Sequence, residues 1–117
     1  MVNASSMLDL LQGYLQATTK RQQLITANMA NIDTPGYKTR DLNFEQALQH
    51  AIGDSGGLQL APAVNEVKGL PERADGNDVN LDRESLALSE TQIQYQLGVQ
   101  LVKDQFSTLL TAIKDSN

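Results

Sequence analysis

A few stretches of this chain carry side chains of the kind that do chemistry, and each has to be weighed against a plainer role. The run Asp78-Val79-Asn80-Leu81-Asp82 alternates oxygen-bearing residues as the opening of a calcium loop does. Arg83 then stands where the sharp turn of such a loop needs Gly, and Ser89 where a bidentate Glu is required. The run therefore reads as a helix start, with Asn80 as its N-cap. His50 is the single histidine, on the polar side of a short helix. There are no cysteines, and no Ser/His/Asp set can be assembled around it, so it reads as solvated. The Gly56-Gly57 pair lacks the following Lys-Ser or Lys-Thr of a phosphate loop. What remains is Asn28 and Asn31, three apart and so on one face of a helix near its end, where their amides can donate and accept hydrogen bonds. These residue types point to recognition rather than catalysis. The reading is a non-enzyme with no cofactor and no metal.

The elements that must position these residues are long. Ser6 reads as an N-cap with Asp9 completing a weak capping box. From there Leu8, Leu11, Leu15, Thr18, Gln22, Ile25, Met29 and Ile32 alternate spacings of three and four, a heptad seam that turns polar in its middle. A helix over 6–33 would be about 40 Å long, too long to fold on itself, so it needs a partner helix. Pro35 disfavours helix at Thr34, and Gly36 supplies the positive φ of a type II Pro-Gly turn. Residues 34–52 then hold the turn, a polar stretch and a short helix capped by Asp41 or Asn43, with Phe44, Leu48 and Ile52 as its apolar stripe. Residues 53–79, punctuated by Gly and Pro, read as a long loop with one extended segment at most.

A second long helix follows over 80–114. Its seam is Leu88, Gln92, Tyr95, Val99, Val102, Phe106, Leu109 and Ile113, and a second row, Leu86, Ile93, Leu97, Leu101 and Leu110, runs beside it. One seam serves one partner; a wider apolar face serves two or more. Gly98 in mid-helix costs roughly 1 kcal/mol against Ala, which makes sense where another backbone comes close. The fold class expected is all-α: two long terminal helices with heptad seams packing as a coiled-coil-like pair in a helical tube. Whether they pair within one chain or between chains stays open, as does a simple two-helix hairpin.

Composition narrows the partners. A 117-residue chain permits one small domain, and 4% aromatic content leaves few large core anchors, so an isolated monomer would be thinly filled. A net charge of −5 with scattered basic residues argues against nucleic acid. No run of apolar residues is long enough to span a membrane. The first basic residue is Lys20, so no Sec-type signal peptide is read, and work outside the cytoplasm would require another export route.

Two separated blocks carry a resemblance. Ala27-Asn28-Met29-Ala30-Asn31-Ile32-Asp33-Thr34-Pro35-Gly36-Tyr37-Lys38 resembles the ANxANxxTPGYK signature of bacterial flagellar rod and hook proteins. Asp75-Gly76-Asn77-Asp78-Val79-Asn80-Leu81-Asp82-Arg83-Glu84 is similar to the DGNxVDLDRE block of the proximal members of the flagellar basal body rod family, with Asn80 in place of Asp. Tyr95-Gln96 falls where those members have a YQ pair, and the central loop is short for them. The resemblance implies a structural subunit of the rod, the drive shaft that crosses the periplasm and passes torque outward. It also implies export through the flagellar type III apparatus without a cleaved signal peptide. The implied partners are copies of itself, other rod proteins, and the adaptor joining rod to membrane ring.

The assembly interface expected on this basis takes Leu11, Leu15, Ile25, Asn28, Met29, Asn31 and Ile32 from the first helix, and Thr34, Pro35, Gly36 and Tyr37 from the turn. From the second helix it takes Ile93, Tyr95, Leu97, Val99, Val102, Phe106, Leu109 and Ile113. Asn28, Asn31 and Thr34 would bond to a neighbouring subunit's backbone and fix register. Alternatives are another rod-type subunit of the same family, a stand-alone helical adaptor, and a calcium-dependent module or enzyme.

Overall fold

The computed structural model describes residues 4–53 and 64–115. Two long helices, α1 (Ala4–Ala30) and α3 (Leu81–Asp115), lie antiparallel against each other and give an elongated molecule, 68 × 26 × 17 Å. The direction follows from contacts at both ends: Asn28 meets Glu84, whereas Tyr14 and Leu15 meet Gly98. Between them come β1 (Arg40–Leu42), α2 (Phe44–Gly53) and β2 (Val64–Glu66). The two short strands pair antiparallel, with Asp41 opposite Asn65. Neither strand is legible from alternation, because each is only three residues long.

α1 begins at Ala4, two residues before the expected cap at Ser6, whose side chain lies outside the described set together with those of His50 and Ile52. It ends at Ala30 rather than Asp33, because Asn31 N and Ile32 N bond in tighter turns to Asn28 O and Met29 O. Asn43, not Asp41, caps α2: its Oδ1 accepts from Gln46 N at 3.0 Å. Asn80 caps α3 in the same way through Arg83 N at 3.1 Å. The Gly56-Gly57 pair lies outside the described residues, but 64–79 are tied down by β2 and by hydrogen bonds to both neighbouring elements, so that part of the expected loop is a built segment.

The core is sparse. Ala17, Leu24, Leu42 and Ala47 form its cluster, with Phe44 and Val64 packed against it, and Leu11 and Ile25 are buried between the helices. The Tyr14 ring meets Phe44 edge-on, centroids 5.4 Å apart, and so links α2 to the helix pair. On α3 the side facing α1 is Glu84, Ala87, Thr91 and Gly98, mostly small or polar. That stripe lies one residue ahead of the expected seam at most steps, a rotation of about 100°. Small residues win it because the helices come close: a Cβ on Gly98 would sit 2.7 Å from Leu15 Cδ2 and 2.9 Å from Tyr14 Cδ1. It is side chains, not the expected backbone, that press on Gly98.

Candidate functional site: a polar clasp and an exposed face

Where α1 ends, the chain builds a closed hydrogen-bond hub around Asn28, which is fully buried. Its Nδ2 donates to Arg40 O at 2.8 Å and to Glu84 Oε1; its Oδ1 accepts from Tyr37 OH at 2.9 Å and from Arg40 N at 3.1 Å. Two donors and two acceptor sites are all an amide has, so Asn28 has nothing left to offer another subunit. The expectation that it bonds a neighbour's backbone is thereby corrected: the hub inside the chain has consumed it. Asn31 and Thr34 also bond within the chain, at its surface. Asn31 Nδ2 donates to Ala27 O at 2.7 Å, and Thr34 Oγ1 donates to Asn31 Oδ1 at 2.9 Å, although Thr34 stays exposed.

An ionic chain extends the hub. Glu84, fully buried, accepts from Arg83 as well as Asn28. Arg83 reaches on to Asp41 Oδ2 at 2.8 Å, and Arg21 of α1 takes Asp41 Oδ1 at 3.1 Å. Asp41 of β1 is thus gripped by one arginine from each long helix. Burial would raise its pKa, but the hydrogen bonds from Arg21 and Arg83 outweigh that and hold the carboxyl below its ordinary range. The same pairing with Asp41 and Glu84 raises Arg83 against its own desolvation. Burial, with Glu84 and Asp78 near, pushes the Tyr37 phenol up in spite of Arg40.

A second set of bonds stitches the Pro-Gly turn to residues 73–79. Tyr37 N closes the turn on Thr34 O at 3.2 Å, and Gly36 has φ +74°, as a type II turn requires. Asn77, fully buried, donates from Nδ2 to Asn31 O at 2.9 Å and Thr34 O at 2.8 Å, satisfying carbonyls at the end of α1. Gly36 N donates to Asp75 O at 2.8 Å, Arg73 donates to Ile32 O, and Asp78 Oδ1 accepts from Thr39 N and Thr39 Oγ1. Lys38 Nζ bridges Glu72 and Gly76 O. In the oxygen-rich run that resembled a calcium loop, Asp78 is spent on stitching and Asn80 on capping. Among the described residues no group of three or more His, Cys, Asp or Glu side chains could hold a metal ion.

Residues 27–38 and 75–84 interlock as one clasp. The first of these blocks falls within a match to known proteins. Residues 8–38 match the family model described as flagella basal body rod protein. The flagellar basal body rod protein FlgB of Aeromonas hydrophila is 32% identical, with 86% of each chain covered. That of Cereibacter sphaeroides is 34% identical, over 80% of this chain and 83% of its own. That of Salmonella typhimurium is 29% identical, over 91% of both. The chain belongs to the FlgB family of flagellar basal body rod proteins. It is a structural subunit of the basal body rod.

In this rod subunit the residues expected at the interface divide three ways. Leu11, Ile25 and Asn28 are buried within the chain. Leu15, Met29, Asn31, Ile32, Tyr37, Val99, Val102 and Leu109 are half-buried, while Thr34, Pro35 and Gly36 are exposed. Ile93, Tyr95, Leu97, Phe106 and Ile113 stand open to solvent, joined by Leu81, Leu86, Leu101 and Leu110; Ile93 is 66% exposed and Phe106 53%. Every large exposed hydrophobic among the described residues lies on α3. Sequence reasoning missed Arg21, Asp41, Arg73, Asn77 and Glu84 as clasp members. Glu84 reads as an acid favouring the helix dipole, and only its place in the family block hinted at more.

Proposed function

We propose that this rod protein works as a proximal rod subunit whose long helices pack between neighbouring subunits, with the clasp holding the helix pair at a fixed angle to the middle segment. The observation that carries this is the row of exposed large hydrophobics which, among the described residues, is confined to α3. Contiguous apolar surface of that kind marks a protein contact. A drive shaft needs many stiff, small interfaces rather than one reactive pocket. A clasp of buried, fully paired polar groups suits stiffness and a single geometry. In this reading the subunit sits in the periplasm and reaches it through the flagellar type III export apparatus. Its neighbours are its own copies, other rod proteins and the rod-to-ring adaptor, and it transmits torque.

The experiment is electron microscopy of purified basal bodies from cells whose only copy of the subunit carries a small internal tag. Tag density at the membrane-proximal end of the rod is the expected result. Intact rods without the tagged chain, or tag density far along the rod, would refute the placement.

A further inference from the structure

α3 presents two apolar rows that α1 separates. At about 100° per residue, Ile93, Leu97 and Leu101 fall to one flank of the stripe that faces α1, and Tyr95 with Val99 to the other. The contacts agree. On the first flank Arg21 pairs with Glu90 at 3.7 Å, beside the β1 and α2 side of α1. On the second, Tyr95 joins Leu15, Gln16, Thr19 and Gln23 of α1 in lining an open groove of about 430 Å³. The two faces share one property: from Thr91 to Val102 the chain carries no charged side chain. Apart from Lys20 at its edge, the groove wall on α1 carries none either. Burying the groove therefore strips almost no ion of water, and burying the row meets only the Arg21–Glu90 pair at its near end.

We infer that the Ile93–Leu97–Leu101 row of one copy seats in the Leu15–Gln16–Tyr95 groove of the next. This rests on the rod reading above and deepens it by naming which faces meet. Pairing like with like fits poorly. Row on row would leave the groove and Tyr95 wet, and groove on groove would leave three large hydrophobics exposed. Row in groove covers both, and because the faces are different and lie on opposite flanks the contact is heterologous. Such a contact repeats without closing on a dimer, which is what an open helical assembly requires. The amides of Gln12, Gln16 and Gln23, which line the groove with Leu15 and Tyr95, can bond a neighbour without demanding a charged partner.

The chain has no cysteine, so single thiols can be placed at will. Leu97→Cys and Gln16→Cys, both at positions that are open on the helix surface, are put into two differently tagged copies expressed together. Purified basal bodies are then treated with a short bifunctional maleimide. A covalent product joining the two tags is expected, with neither variant alone forming a dimer. A Leu97→Cys dimer, a product joining Leu97→Cys to a different protein in place of the second tag, or tagged subunits present in basal bodies with no product, would each overturn the assignment while leaving the rod reading intact. Absence of both tagged copies from basal bodies, with wild-type subunit present in a parallel preparation, would overturn the rod reading and the inference with it.

Discussion

Replacing Asn28 by Ala is the sharpest perturbation of the clasp. It deletes four hydrogen bonds at once: two given, to Arg40 O and Glu84 Oε1, and two received, from Tyr37 OH and Arg40 N. Tyr37 is half-buried and can turn to water, but Glu84 is fully buried and stays dry. A buried polar group left without a partner costs roughly 1–3 kcal/mol, more when it is charged. Glu84 keeps Arg83, so its loss is partial. Counting one stranded oxygen of Glu84 and the Arg40 backbone, Asn28→Ala should cost about 3–5 kcal/mol, a large share of the 5–15 kcal/mol that holds a small domain together. Asn31→Ala, three residues on, removes only exposed bonds, to Ala27 O and from Thr34 Oγ1, on an open helix end and should cost less than about 1 kcal/mol. The comparison is made by urea denaturation of the full chain, followed by circular dichroism. Equal midpoints for the two variants would refute the claim that Asn28 is the hub, whatever the absolute values.

Other outcomes follow from the same geometry. Gly36→Val puts a branched side chain at φ +74°, so it should cost on the order of 1–3 kcal/mol in strain and abolish motility while leaving helix content near normal; normal swimming with this as the only copy would count against it. Gly98→Ala gains roughly 1 kcal/mol of helix propensity but drives a methyl into Leu15 and into a Tyr14 ring already held by Phe44, so the urea midpoint should fall rather than rise. The Asp41 carboxyl is lowered in the folded state, so folding there binds fewer protons than the unfolded chain does. Its contribution is full above roughly pH 4 and is lost as pH falls through the folded value. Asp41→Asn should therefore lower stability at neutral pH and converge on the parent in strong acid; parallel curves at every pH would contradict this. Amide exchange should be slowest in α1 and α3 near the clasp and fastest over the last turns of α3, where every side chain beyond Leu109 is exposed; uniform protection would argue against it.

The long helices were legible because three-and-four spacing sustained from Leu8 to Ile32, and again from Leu88 to Ile113, leaves little else for the backbone to do. The Pro-Gly turn was legible from two residues. The face of α3 that meets α1 was not: periodicity marks the most apolar stripe, whereas close helix approach selected Ala87, Thr91 and Gly98 beside it. Those two criteria point to different sides of one helix: the predicted seam is half-buried at Leu88, Val99, Val102 and Leu109, and the second row, Leu86, Ile93, Leu97, Leu101 and Leu110, is left exposed on the single chain. The clasp escaped for another reason. Asn28 bonds Glu84 across 56 positions and Asp41 bonds Arg83 across 42, and pairings at that separation leave no periodic trace. Asn77 and Arg73 look like ordinary loop residues until the carbonyls at the end of α1 are placed beside them.

The central claim is that one chain pairs its own helices through the clasp and leaves the outer rows of α3 for its neighbours. Maleimide labelling of single-cysteine variants in the free chain and in intact basal bodies tests it most directly. Leu97→Cys and Phe106→Cys should label readily in the free chain and become protected in the rod, while Ile25→Cys, facing α3 inside the chain, is protected in both. Ready labelling of Ile25→Cys in the free chain, or of Leu97→Cys in intact rods, would contradict the account.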